Sequence, residues 1–358
     1  MKQIRLFRIY LLLGGLLTAS CTTDKTTDVI FHGQVTGPWE GHSIHLYNNL
    51  TNERDSAEII EGRFTITRTF TEPTRQMFFS TYDTRVKRGY APFGILVDKP
   101  GIVNIELDIE KGFTQAKITG PKSHELYADL LAKQSEVREL NTSEDGDRNE
   151  EAISFAISRE IDQIVSKNRN LIVSAFLLDR MGNHLELEHR EALYDWLSEE
   201  MKESHFGIRT GNIITGLKRS AIGTKVENFS LDNMKGESIP FHNFLGKYVL
   251  IDFWASWCGP CIAEIPRFKE IYEKYRYDGF EIVGISIDKN HEAWLRAISH
   301  HELDWPQLID NDEDNIANSH FAVTSIPATF LIDPDGTILV HQIKGDELDQ
   351  KLSELLLR

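Results

Sequence analysis

Three kinds of hydrophobic patterning follow one another along this chain. From Val29 to about Gly120, apolar and polar residues alternate, the period of strands with one buried face. Ser43–Tyr47, Arg63–Phe70, Gln76–Ser80 and Ile102–Asp108 read as strands, punctuated by Gly37-Pro38, Asn48-Asn49, Glu61-Gly62 and Lys99-Pro100-Gly101. Short strands parted by turn residues predict an all-β, sandwich-like domain over 29–120. Over 121–221 the spacing becomes helical, with Tyr127, Leu130 and Leu131, then Ile153, Ile157, Ile161 and Ile164, then Phe176 and Leu178, then Leu193, Trp196 and Leu197. Three or four helices are expected in this linker domain, with a solvated loop at the acidic run 143–151.

From 222 to 358 the two periods alternate. Tyr248–Trp254, Phe280–Ile287, Ala328–Ile332 and Thr337–Val340 read as strands, the last two joined by a hairpin turn at Asp333-Pro334-Asp335-Gly336. Ile262, Ile265, Phe268, Ile271 and Tyr272 mark an amphipathic helix, and further helices are expected over Glu292–His300 and Asp346–Leu357. The pattern predicts an α/β domain with a mixed central sheet covered by helices. The fold class is therefore multidomain.

The first residues carry a different signal. Lys2, Arg5 and Arg8 precede an apolar run, Ile9–Leu17, that is short for a membrane span. Thr18-Ala19-Ser20-Cys21 follows, and then a polar tether over 22–28. This resembles a bacterial lipoprotein signal over 1–21, with Thr18 where such signals usually carry an aliphatic residue. The resemblance implies that Cys21 becomes the lipidated first residue of the mature chain. An ordinary secretory signal or an uncleaved anchor are the alternatives. Each of them exports the protein to a compartment where disulfides persist.

Composition narrows the chemistry. The 358 residues include 39 basic and 55 acidic side chains, a net charge of −16, and no sustained basic run. Nucleic-acid binding, which needs clustered Lys and Arg, is not expected. The three cysteines are Cys21, Cys258 and Cys261, too few for a structural framework beside a redox pair.

The informative motif is Trp257-Cys258-Gly259-Pro260-Cys261, between a buried-looking strand and an amphipathic helix. Two thiols so spaced at a helix start can close a disulfide and open it again. Unpaired N–H groups and the positive end of the helix dipole stabilise a thiolate on Cys258, and a thiolate is the attacking species. A zinc site would need four ligands, and no second Cys pair or finger-like His cluster exists in the sequence. A permanent staple over so short a loop would remove little unfolded-chain entropy. Dithiol–disulfide exchange is the reading left, with no metal and no cofactor expected.

Asp252-Phe253-Trp254-Ala255-Ser256-Trp257-Cys258-Gly259-Pro260-Cys261, with Glu264, Pro266 and Ser325-Ile326-Pro327-Ala328-Thr329, resembles the TlpA/ResA-like branch of the thioredoxin family over about 222–358. The wide separation of Cys258 from Pro327 fits a segment inserted in this branch, expected around Phe280 to Asp304. The β region is similar to a poorly characterised domain that precedes such modules in bacterial lipoproteins, on Asp55-Ser56, Glu61-Gly62-Arg63-Phe64 and Gly101.

The resemblance implies a set of roles. Cys258 attacks and Cys261, one turn inside the helix and less exposed, resolves. Asp252, costly in an apolar strand, accepts the resolving thiol's proton; the alternative is an acid satisfied by a backbone donor. Glu264 tunes the thiols, or only meets the dipole from the first helical turn. Some members of the branch carry Asn at the Asp252 position, so the division of labour between the two acids stays open. Pro327 corresponds to a cis-proline that exposes Ile326 for substrate pairing, the alternative being a trans proline entering a strand. Trp257 contacts substrate, Trp254 packs, and Pro266 kinks the helix or starts its second part.

The implied activity is that of a lipid-anchored thiol–disulfide oxidoreductase in the cell envelope, facing the periplasm. Its implied partners are disulfide-containing envelope proteins and a membrane electron donor. Gly259-Pro260 matches the dipeptide of reducing thioredoxins, and cytochrome c maturation is one compatible setting. Two other functions remain open. One is a peroxiredoxin-type thiol peroxidase, whose Thr or Ser ahead of the cysteine in a Pro-containing loop is lacking at Ser256-Trp257-Cys258. The other is a binding or scaffold lipoprotein whose Trp39, Phe78, Phe79, Tyr82, Tyr90 and Phe93 line a ligand surface, though such aromatics more often form a core.

Overall fold

The computed structural model describes residues 27–48, 53–80, 93–108, 116–143, 145–311 and 316–356. Cys21, with the signal and most of the tether, lies outside them.

The alternating region forms β1 (Asp28–Thr36), β2 (Ser43–Tyr47), β3 (Arg54–Glu58), β4 (Arg63–Thr69), β5 (Thr74–Ser80), β6 (Phe93–Val97), β7 (Gly101–Asp108) and β8 (Lys117–Thr119). Two four-stranded sheets result, ordered β4-β1-β7-β8 and β3-β2-β5-β6. Every second residue of β7, namely Val103, Ile105 and Leu107, enters a core shared with Phe31, Ile44, Leu46 and Phe78. Trp39, Phe78 and Phe93 are buried in that core and so line no ligand surface. Tyr82 and Tyr90 lie outside the described residues, as does the Phe79 side chain.

Six α-helices follow where three or four were expected: α1 (Lys122–Leu140), α2 (Glu150–Lys167), α3 (Ile172–Met181), α4 (Leu187–Trp196), α5 (Glu199–Glu203) and α6 (His205–Arg219). The reason is capping. Ser198 accepts a hydrogen bond from the Met201 N–H and Ser204 from the Gly207 N–H. These two caps start the helices Glu199–Glu203 and His205–Arg219, which lie beyond Leu197, the last periodic residue named from the sequence. The acidic run is a loop only to Asn149, which caps α2; Glu150 and Glu151 already lie in its first turn, where the dipole favours them.

The sheets and helices are joined at β6. Leu96 points away from the sandwich core into the core of the helices, while Ile95 and Val97 point into the sandwich. Next to it, the Asp98 carboxylate accepts from the Ser123 N–H at 3.0 Å, from the Ser123 hydroxyl, and from the Ile172 N–H at 3.0 Å. One acid thus caps the starts of α1 and α3 together.

The remaining residues form one seven-stranded mixed sheet, ordered β10-β9-β13-β12-β11-β14-β15. Its strands are β9 (Ser230–Asn233), β10 (Ser238–Pro240), β11 (Tyr248–Trp254), β12 (Phe280–Ser286), β13 (Gln307–Ile309), β14 (Ala328–Ile332) and β15 (Ile338–His341). The helices are α7 (Gly259–Tyr275), α8 (His291–His301), α9 (Ile316–Ser319) and α10 (Gly345–Leu356). This is the thioredoxin fold. Because β12 pairs in parallel directly with β11, it belongs to the βαβ unit that carries the two cysteines. The extra segment before Pro327 therefore begins only after β12, with α8 and β13, and not at Phe280 as expected.

Pleat alternation sorts β11 into two faces. Val249, Ile251 and Phe253 pack with Phe321 and Phe330, whereas Leu250 and Trp254 pack with Cys258, Cys261, Ile265 and Phe268 of the α7 side. Helix α6 packs on α9, and the contact requires glycine at position 216: a Cβ there would lie 2.1 Å from the Asn318 carbonyl oxygen. Among the described residues no helix is long and apolar enough to cross a membrane, and no group of His, Cys, Asp or Glu could hold a metal ion.

Candidate active site

The site begins at the end of β11, where the chain must leave the sheet and start α7. Asp288, just past β12 and 1% exposed, fixes this exit. Its carboxylate accepts from the Ser256 N–H and from the Ser256 hydroxyl, each at 2.7 Å, and from the Ser286 hydroxyl at 2.8 Å. Two residues later Cys258 is the N-cap of α7, its Sγ accepting from the Cys261 N–H at 3.2 Å. Pro260 sits in the first turn, where a missing N–H leaves no intrahelical bond unmade. Cys258 and Cys261 form a disulfide. Both are buried, 5% and 4% exposed, so exposure barely separates them. What separates them is position, Cys258 at the cap and Cys261 inside the first turn.

Asp252 shares its β11 face with Leu250 and Trp254, and so points to the side of the sheet covered by α7. It is buried, and its carboxylate receives no hydrogen bond from a described residue, which removes the reading in which a backbone donor satisfies it. Burial, with the charge of Glu264 second, pushes its pKa up to about 7. Glu264 lies in the second turn of α7, beyond the first turn where a dipole role would place it, and its partner is Lys344 at 3.7 Å. The charge of one acid named from the sequence, Glu264, therefore acts on the other, Asp252.

The opposite wall is the loop entering β14. The Ile326–Pro327 peptide bond is cis. β14 pairs antiparallel with β11, Ala328 opposite Phe253 and Thr329 opposite Asp252. The same register, continued, sets Pro327 opposite Trp254 and Ile326 opposite Ala255, just ahead of the cysteines. Ile326 packs partly buried against the cores on both faces of the sheet. Trp257 is 66% exposed beside the disulfide, while Trp254 is buried and donates its Nε1–H to Gln307 at 3.1 Å. Helix α7 runs through Pro266 as one helix and does not restart there.

Sequence reasoning missed Asp288 and Gln307. Gln307 carries no motif. Asp288 carries none either: its place beside the loop that begins at Ala255 follows from the parallel pairing of β12 with β11.

Residues 222–341 match the AhpC/TSA family. The chain is 33% identical over 139 residues to thiol-disulfide oxidoreductase ResA of Bacillus thuringiensis subsp. konkukian, covering 39% of this chain and 79% of that one. It is 28% identical over 127 residues to ResA of Bacillus subtilis, covering 36% and 70%. A solved thiol-disulfide oxidoreductase from Bacteroides fragilis is 36% identical, with 37% of this chain and all 100% of that one aligned at a TM-score of 0.34.

Proposed function

The chain belongs to the ResA-like thiol–disulfide oxidoreductases, and on that premise we propose that it is a lipid-anchored reductase of disulfides in envelope proteins. The observation that carries the mechanism is Asp252: a buried acid without a hydrogen-bond donor, on the face of β11 that packs on the cysteines, with a pKa near neutrality.

In the reduced enzyme the Cys258 thiolate attacks one sulfur of a client disulfide. A mixed disulfide forms and the other client sulfur leaves as a thiolate that takes a proton. Cys261 gives its proton to ionised Asp252 and attacks Cys258 Sγ. The Cys258–Cys261 disulfide closes, and the second client sulfur leaves reduced. Two electrons have passed from enzyme to client, and a membrane donor supplies the next two. Burial explains why Asp252 suits the step: a carboxyl that titrates near pH 7 accepts and returns a proton with little bias either way. Glu264 tunes that acid through its charge. The client backbone pairs with Ile326 ahead of Pro327, and exposed Trp257 offers it an apolar contact. Lipidation of Cys21 places the enzyme at the envelope membrane facing the periplasm, in a setting compatible with cytochrome c maturation.

The test is turnover and trapping in the full chain. Cys258→Ser abolishes reduction of insulin, and Cys261→Ser accumulates mixed disulfides with envelope proteins that dithiothreitol releases. Insulin reduction that survives Cys258→Ser overturns the assignment. Peroxide consumption without disulfide reduction would move it to a thiol peroxidase.

A further inference from the structure

Where the helices meet the redox fold, the chain forms an open cleft of about 590 Å³ with Asp179, Arg180, Arg190 and Arg209 on one side and Ala322 and Thr324 on the other. Three cations face one anion there, in a chain whose net charge is −16.

The way these charges are held is informative. The Asp179 side chain is fully buried: its Oδ1 accepts from Arg209 Nε at 2.8 Å, while Arg180 Nε lies 3.0 Å from its Oδ2 as an ion pair without hydrogen-bond geometry. The outer nitrogens of Arg180 and Arg209 have no partner among the described residues. Asp179 therefore fixes the Arg209 fork by a hydrogen bond, holds Arg180 by charge, and leaves the tips of both open. Arg190 is deeper, 5% exposed, with one terminal nitrogen donating to the Leu178 carbonyl at 2.7 Å and its Nε without an acceptor. It lies flush on Gly182, where a Cβ would come within 2.2 Å of that Nε. Arg190 is turned onto Gly182 and adds only its charge, so the groups that can meet an anion are the open tips of Arg180 and Arg209.

The cleft also has an address. Thr324 lies two residues before Ile326, at most about 7 Å along the chain. A client strand pairing with Ile326 and continuing past Ser325 reaches the rim at Thr324. We propose that this cleft binds carboxylates of the client polypeptide flanking the disulfide under attack, with Arg180 and Arg209 as the recognising forks. The proposal rests on the reductase reading above, and it names the clients' chemistry: acidic side chains next to the target cysteine, held by bidentate guanidinium–carboxylate pairs.

The experiment uses the oxidised full-length chain, so that no electrons move. A fluorescein-labelled peptide with one internal disulfide and Glu on both sides of each cysteine is titrated by anisotropy against the same peptide with Gln for Glu. The acidic peptide is expected to bind about tenfold tighter, the worth of about one charge-assisted hydrogen bond. Arg209→Gln, and separately the more exposed Arg180→Gln, should bring that ratio close to one. A wild-type ratio of one overturns the proposal, as does a ratio that survives in both variants. Free glutarate that displaces the peptide at equal carboxylate concentration overturns the peptide assignment in favour of a small-anion site. Failure of insulin reduction would sink the reductase reading and leave this binding ratio standing.

Discussion

Asp288 holds Ser256 by two hydrogen bonds, one from its backbone N–H and one from its hydroxyl, each 2.7 Å long. A buried acid on the neighbouring strand thereby sets the path of the loop that delivers Cys258 to the start of its helix. Asp288→Ala strands those donors and is expected to cost about 3 kcal/mol of stability, the range for hydrogen bonds to a buried charge. Because the loop loses its anchor, reduction of insulin should fall while Cys258 still alkylates. Asp288→Asn, which keeps an acceptor, should recover most of the turnover. Chemical denaturation and insulin turnover on the same three proteins check this; equal turnover in wild type and Asp288→Ala counts against a positioning role.

Asp252 makes stability depend on pH with a definite sign. Its folded pKa of about 7 lies above that of an exposed aspartate, so the native state holds this proton more tightly than the unfolded chain. That contribution is full below about pH 4, shrinks as pH rises through 7, and is gone above. Asp252→Asn removes the dependence. In the oxidised protein it should gain stability over wild type on the order of 3 kcal/mol between pH 5 and pH 8. Urea unfolding at both values measures it, and parallel curves would contradict the burial cause.

Turnover carries the same signature. Accepting a proton needs ionised Asp252, so single-turnover closure of the disulfide should accelerate as pH rises through about 7. Glu264 raises the Asp252 pKa by its charge. Glu264→Gln should therefore move the inflexion to lower pH, and Asp252→Asn should flatten it. Stopped-flow Trp257 fluorescence reads the step. An inflexion unmoved by Glu264→Gln would uncouple the two acids.

The potential should lie near that of thioredoxin, roughly −270 mV, and far from that of DsbA, roughly −120 mV. Gly259 and Pro260 bring no side-chain donor or charge to Cys258, and an ionised Asp252 disfavours a second negative charge nearby. Equilibration of the full chain with dithiothreitol checks the value. A potential in the DsbA range would reverse the direction of electron flow and leave the exchange chemistry intact.

Lipid attachment is checked through Cys21. Cys21→Ala should abolish metabolic lipid labelling and move the chain from the membrane fraction to the soluble one. Unchanged labelling would assign the anchor elsewhere.

Local signals and long-range ones were not equally legible in the sequence. The strand Tyr248–Trp254 was bounded to the residue because its apolar run, its closing Trp and the Cys258 helix start all lie within one short window. Cys258, Cys261 and Pro327 stood out through a motif. The Asp288 contacts did not, because they depend on two parallel strands ending side by side, a register fixed only by the folded sheet. The helix count falls short for a smaller reason: the helices capped by Ser198 and Ser204 follow Leu197, where the periodic residues read from the sequence end. The similar exposure of the two cysteines was likewise out of reach, since Cys258 is buried in a core that draws on β11, Trp294 and Leu331 as well as on α7.

The Asp98 knot bears on how the molecule comes apart. Opening the sandwich alone would strip two helices of their shared cap and leave Leu96 without its helical neighbours, so fraying on one side is penalised on the other. The junction at residue 120 is then a border in composition only. In hydrogen exchange the strands around β6 and the first turns of α1 and α3 should open as one cooperative unit with one free energy, and a chain cut at that junction would divide a foldon.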